Sequence, residues 1–168
     1  RVVDDRNNQE IEQALAAYLT ENKRTLTCAE NCTGGYLSHL LTALTGSSAY
    51  FKGSIVAYSD EIKNGILHVP HEILLQDGAV SEACVVEMAQ NARKLFQTDY
   101  AIAVSGIAGP GGATSRKPVG TVWLALAIHD QVATHLFQFG NIERVVIIRK
   151  TAIYALYLLL TTLINTKH

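Results

Sequence analysis

Apolar and polar positions change period several times along the chain. Ile11, Leu15, Tyr18 and Leu19 share one face of a helix over 9–22, with Asn7 or Asn8 as its cap. The run 24–28 reads as a short strand, and a turn-rich junction follows it over 29–35. Leu37, Leu40, Leu41 and Leu44 line the inner face of a second helix, which Gly46-Ser47-Ser48 ends. A strand over 50–58 closes on Tyr58, and a short helix takes 59–67. Ser81 caps a helix to about Phe96 that turns Val85, Met88, Ala89, Ala92, Leu95 and Phe96 inward. A buried strand over 100–104 runs into a Gly/Pro-rich loop, 105–118. Two strands, 119–129 and 132–139, are joined by His129-Asp130-Gln131, and a last helix spans about 142–164.

Helices thus alternate with strands, which predicts an α/β layered domain. Separations across helices favour parallel neighbours, and the tight link at 129–131 forces one antiparallel pair. The expected sheet is mixed and mostly parallel, with about five strands and helices on both faces. Ligands of such sheets sit outside the carboxyl ends of the strands. That singles out 29–35, 58–63 and 105–112.

Composition narrows the picture. The 168 residues suit one domain over 1–168. Hydrophobic residues make up 48% and charged residues 17%, below the usual share of about 25%. Fourteen basic against fifteen acidic residues give a net charge of −1 and no surplus for nucleic acid. Three cysteines, with Cys28 and Cys32 in a C-x-x-x-C spacing, form no disulfide or zinc pattern, and a reducing cytoplasm is the expected compartment. The first residues do not read as a basic-then-apolar signal segment. The longest uncharged stretch, 151–165, falls short of the about 20 apolar residues of a membrane span and reads as a buried helix.

The three junctions carry the candidate chemistry. Asn31-Cys32-Thr33-Gly34-Gly35 lies between a strand and a helix, where unpaired N–H groups can hold an anion. The alternative is an ordinary helix start capped by Thr33. Tyr58 and Lys63 span the second strand-to-helix turn. A lysine desolvated there acts as a general base; on a solvated face it pairs with Asp60 or Glu61. The third junction, Ser105-Gly106-Ile107-Ala108-Gly109-Pro110-Gly111-Gly112, matches neither a Walker loop nor a dinucleotide fingerprint. It either cradles a phosphate through its N–H groups or simply connects two strands. Arg144, at the start of the last helix, either reaches a phosphate or stays solvated. The histidines, including His68, His71 and His168, show no metal-ligand spacing.

Taken in order, Thr27-Cys28-Ala29-Glu30-Asn31-Cys32-Thr33-Gly34-Gly35, Gly46-Ser47-Ser48, Tyr58-Ser59 with Lys63, Gly78-Ala79-Val80-Ser81, Ser105-Gly106-Ile107-Ala108-Gly109-Pro110 and Lys117-Pro118-Val119-Gly120-Thr121-Val122 resemble the CinA C-terminal domain family. That family includes the bacterial nicotinamide-nucleotide amidases. The resemblance covers about residues 9–164. It implies a three-layer α/β/α fold and hydrolysis of nicotinamide mononucleotide to nicotinate mononucleotide and ammonia, without metal or organic cofactor. A serine in the first motif attacks the amide, assisted by a lysine and a tyrosine that carry over to Lys63 and Tyr58. Candidate substrate contacts are Cys32, Thr33, Gly34, Gly35, Ser105, Gly106, Gly109, Gly111 and Arg144. The expected partner is a small nucleotide, not nucleic acid or a membrane.

This chain departs from the family at one decisive position. The family run reads Ala-Glu-Ser-Cys-Thr-Gly-Gly, and Asn31 stands at the serine. An asparagine amide does not replace that hydroxyl, and loss of a catalytic serine costs about 10⁶ in turnover. Ile148 stands at the position of a second family arginine, with Arg149 one place on. Three readings follow: a catalytically impaired paralogue that still binds a pyridine nucleotide, an amidase using Cys32 or Thr33 or carrying a substituted residue at 31, and a structural or assembly domain. Cys32 beside Lys63 would need a lowered thiol pKa. The last helix, apolar around much of its circumference, predicts a homo-oligomer.

Overall fold

The computed structural model describes residues 5–166, and the side chains of 11–166. Five strands, β1 (Leu26–Glu30), β2 (Phe51–Val56), β3 (Tyr100–Gly106), β4 (Thr121–Ile128) and β5 (Gln131–Gln138), form one sheet in the order β2-β1-β3-β4-β5. β1 pairs parallel with β2 and β3, and β4 pairs antiparallel with β3 and β5. Four strands therefore share a direction and β4 opposes them. The sequence led to one antiparallel pair; the structure has two. The segment between β3 and β4 forms no helix, so β4 returns directly beside β3 instead of crossing over.

Among the described residues there are six α-helices, α1 (Asp5–Glu21), α2 (Tyr36–Thr42), α3 (Asp60–Gly65), α4 (His71–Gln76), α5 (Glu82–Phe96) and α6 (Arg144–Asn165), and one 3-10 turn at Ser47–Ala49. Side chains alternate along each strand and feed two cores. On one face Cys28, Ile102, Val104, Leu124 and Leu126 pack against Leu15 and Leu19 of α1, Leu37 and Leu41 of α2, and Leu156 and Leu159 of α6. On the other, Ala29, Ala101, Ala103, Ala125 and Ala127 meet Val85, Met88, Ala89 and Ala92 of α5. Alanines on that face leave the room that α5 fills. The result is a mixed five-stranded sheet with helices on both faces. Helix α6 is long and apolar enough to cross a membrane by length and composition alone. Its Ala152, Ala155, Leu156, Leu159 and Leu163 lie in the core, whereas Val145, Tyr157 and Ile164 are exposed.

Several boundaries move. Helix α1 begins at Asp5, so Asn7 and Asn8 lie within it and do not cap it. Strand β1 sits two residues later than the run 24–28, because Ala29 and Glu30 continue the ladder opposite Ile55 and Val56. Leu95, expected on the inner face of α5, is exposed, because the buried stripe of that helix ends at Ala92. The sequence shows no separate helix at α4. His168 lies outside the described residues.

Candidate active site

Because β1, β2, β3 and β5 point the same way, the segments that follow them gather along one edge of the sheet. The β1–β3 register pairs Glu30 with Val104, and the Asn31 N–H donates to the Val104 carbonyl at 3.0 Å. This places Asn31 beside Ser105, and its Nδ2 donates to Ser105 Oγ at 2.9 Å. Ser59 caps α3 by accepting from the Ile62 N–H at 3.2 Å. The helix then turns Lys63 inward, leaving it 1% exposed. Lys63 Nζ donates to Asn31 Oδ1 at 3.4 Å and lies 3.9 Å from Asp60 Oδ1. Burial pulls the Lys63 pKa below its ordinary value, and Asp60 opposes that shift. Lys63 is therefore not on a solvated face, although its Asp60 partner is exposed.

A second set adjoins the first. Arg144 opens α6, donating from Nη1 to the Gly109 carbonyl and from Nη2 to Tyr58 Oη, each at 2.9 Å. Tyr58 is exposed and bonds Arg144 rather than Lys63. A cleft of about 720 Å³ opens between Pro110 and the start of α6, lined by Asn141, Glu143, Arg144 and Lys150 among others. Cys32 lies in a small core with Ile107, Ala108 and Ile147. Burial pushes its thiol up to about 12, against the pull of Arg144 and Lys63. This corrects the lowered thiol pKa that a Cys32 nucleophile would need.

The turn after β1 is held by a residue that was not among the candidates. Glu30 is fully buried and its carboxylate accepts from Thr33 Oγ1 at 2.6 Å, the Leu37 N–H at 2.9 Å, the Ser38 N–H at 3.1 Å and Ser38 Oγ at 2.5 Å. The signal for it was an acidic residue directly after a buried apolar strand. Thr33 thus bonds Glu30 and does not cap α2; the capping position is Gly35, at φ 101°. The first-turn amides of Leu37 and Ser38 are also taken, so any anion must use amides earlier in the turn. Among the described residues, the Thr33 and Gly35 amides donate to no protein acceptor. Gly34 also has a positive φ, at 57°.

Of the loop candidates, Ser105 reaches Asn31 and Gly109 reaches Arg144. Gly106 packs against Val122, where a Cβ would lie 2.6 Å from Val122 Cγ2. Gly111 is exposed on the loop. Among the described residues, no three His, Cys, Asp or Glu side chains group as a metal set. Chemically, a desolvated amine stands within hydrogen-bond reach of the side chain at position 31. That is the relation of a general base to its nucleophile, with a carboxamide in the nucleophile's place.

The model of the CinA C-terminal domain matches residues 8–163. The chain belongs to the CinA C-terminal domain family. A CinA-like protein of Cytophaga hutchinsonii is 47% identical over 133 residues, covering 79% of this chain and 32% of that protein. Another, from Pseudothermotoga lettingae, is 43% identical over 161 residues, covering 94% and 39%. The chain spans about a third of the length of these curated relatives. Two solved structures match most of their length. The competence/damage inducible protein CihA from Agrobacterium tumefaciens superposes with a TM-score of 0.90 at 35% identity, covering 92% of this chain and 94% of that one. The competence damage-inducible protein A (ComA) from Klebsiella pneumoniae gives 0.90 at 38%, covering 93% and 96%.

Proposed function

We propose that this CinA-family chain binds nicotinamide mononucleotide or a close pyridine nucleotide at the edge formed by Asn31, Lys63, Ser105, Tyr58 and Arg144. We further propose that Asn31 leaves it impaired as an amidase. The observation that carries this reading is the buried Lys63 amine, 3.4 Å from Asn31 Oδ1. In an active site of this layout a serine at 31 would lose its proton to Lys63 and attack the carboxamide. Free amides of the turn, such as those of Thr33 and Gly35, are then the donors best placed for the oxyanion. Arg144 and the cleft beside it suit the 5′-phosphate, because a guanidinium binds phosphate oxygens in pairs.

Asn31 accepts from Lys63 through Oδ1 and donates to Ser105 through Nδ2, so both of its functional ends are occupied. It has no hydroxyl to deprotonate. The reading is tested by calorimetric titration with nicotinamide mononucleotide. Saturable binding that Arg144→Ala weakens at least tenfold is the expected result. No heat at millimolar nucleotide would overturn it. We also propose a homo-oligomer, on the exposed Val145, Tyr157 and Ile164 of α6, and a reducing cytoplasm, on the free thiols of Cys28, Cys32 and Cys84; a monomer mass by light scattering at micromolar concentration would exclude the oligomer.

A further inference from the structure

Asn31 and Lys63 form a pair with a chemistry of its own. A half-buried carboxamide and a buried primary amine face each other, with Lys63 Nζ 3.4 Å from Asn31 Oδ1. The carbonyl carbon of Asn31 is one bond from that oxygen. The amide nitrogen is held on the far side by Ser105 Oγ at 2.9 Å. A carboxylate oxygen of Asp60 lies 3.9 Å from the amine.

From this arrangement we infer that Lys63 and Asn31 join in an intramolecular isopeptide bond. The Lys63 Nζ lone pair attacks Asn31 Cγ, and the C=O electrons move onto Oδ1. The tetrahedral carbon then carries both nitrogens. Asp60 takes a proton from Nζ, and the Ser105 hydroxyl gives one to Nδ2. The carbonyl re-forms, the Cγ–Nδ2 bond breaks and ammonia leaves. The proton that Asp60 took from Nζ replaces the one Ser105 gave, carried by water at the half-buried Asn31 edge, so one ammonia leaves and the protons balance. One N–C bond replaces another, so neither oxidant nor reductant is required. The buried amine is already biased toward its neutral, nucleophilic form. The link ties the end of β1 to α3 and leaves no basic amine in the site. It uses the same Lys63 and Asn31 side chains as the nucleotide reading but neither Arg144 nor the cleft beside it, so nucleotide binding through Arg144 can be measured with or without the link.

Intact-mass spectrometry of the purified 168-residue chain tests it. The expected mass lies one ammonia below that of the sequence. After trypsin, a branched species should join peptide 25–52 to peptide 53–93, because an acylated Lys63 is not cleaved. Lys63→Arg restores the full mass; Asn31→Ser does the same with a smaller side chain if the arginine variant fails to fold. A chain at full mass after days at alkaline pH overturns the inference. So does an ammonia loss that survives both substitutions, which a succinimide at Asn64-Gly65 would produce. Nucleotide binding is read separately by calorimetry, so either proposal can fail without the other.

Discussion

Removing the Glu30 carboxylate should cost this fold a large part of its stability. The group is fully buried and accepts from two backbone amides and two hydroxyls. In Glu30→Ala the hydroxyls can rotate; Ser38 Oγ already lies 2.7 Å from Ser54 Oγ. The Leu37 and Ser38 amides cannot, because their directions are fixed by α2. The stranded Leu37 donor is buried and costs about 1–3 kcal/mol, and the half-buried Ser38 donor costs less, so the two together cost about 2–4 kcal/mol. Against a total of about 5–15 kcal/mol, the middle of that range removes roughly a third. At an m-value of about 2 kcal/mol/M in urea, the unfolding midpoint falls by about 1.5 M. Glu30→Gln keeps one acceptor oxygen and should lose about half as much. Equilibrium urea unfolding followed by circular dichroism reads both. A Glu30→Ala loss below about 1 kcal/mol would refute the assignment of Glu30 as the anchor of the 31–35 turn.

Other consequences are open to direct measurement. In Asn31→Ser, ammonia release needs Lys63 neutral, and burial lowers its pKa. The rate should therefore rise with pH and reach half its maximum below the ordinary lysine value; a midpoint at that value would refute the base assignment. Cys32, with its thiol pushed up to about 12, should resist iodoacetamide in the native state at pH 8, where its thiolate is about 10⁻⁴ of the total. Peptide mapping that finds Cys32 labelled before unfolding would contradict this. Gly120→Ala puts a Cβ against the Gly140 carbonyl oxygen and 2.6 Å from its nitrogen, at φ +89°. Since both neighbours are backbone, thermal unfolding should show a loss of about 3 kcal/mol.

The layered plan could be read from periodicity, because each core face is written as a run of apolar residues at helical or strand spacing. So could the gathering of the three junctions at one edge, which follows from parallel strands. What escaped was set by tertiary contact. Helix α4 spans six residues and buries only Leu74, too little for a period to show. The second antiparallel pair depended on the loop after β3 folding without a helix. Charged residues are the least legible: sequence puts Glu30 in a turn and leaves Lys63 between pocket and solvent, yet both are buried. Glu30 is stabilised by donors from α2, and the Lys63 amine by Asn31 and Asp60, contacts that no local spacing encodes. Tyr58 was placed with Lys63 by spacing, and the structure gives it to Arg144, a residue 86 positions away.

The proposed site holds Lys63, Arg144 and Asn31 where an amidase needs a serine. The measurement is ammonia release from nicotinamide mononucleotide by the chain as it stands, by Asn31→Ser, and by Asn31→Ser combined with Lys63→Ala. The parent should be inert, serine at 31 should raise the rate by several orders of magnitude, and removing Lys63 should abolish that gain. A parent that already releases ammonia as fast as Asn31→Ser, or an Asn31→Ser protein that binds the nucleotide and remains inert, would contradict this reading.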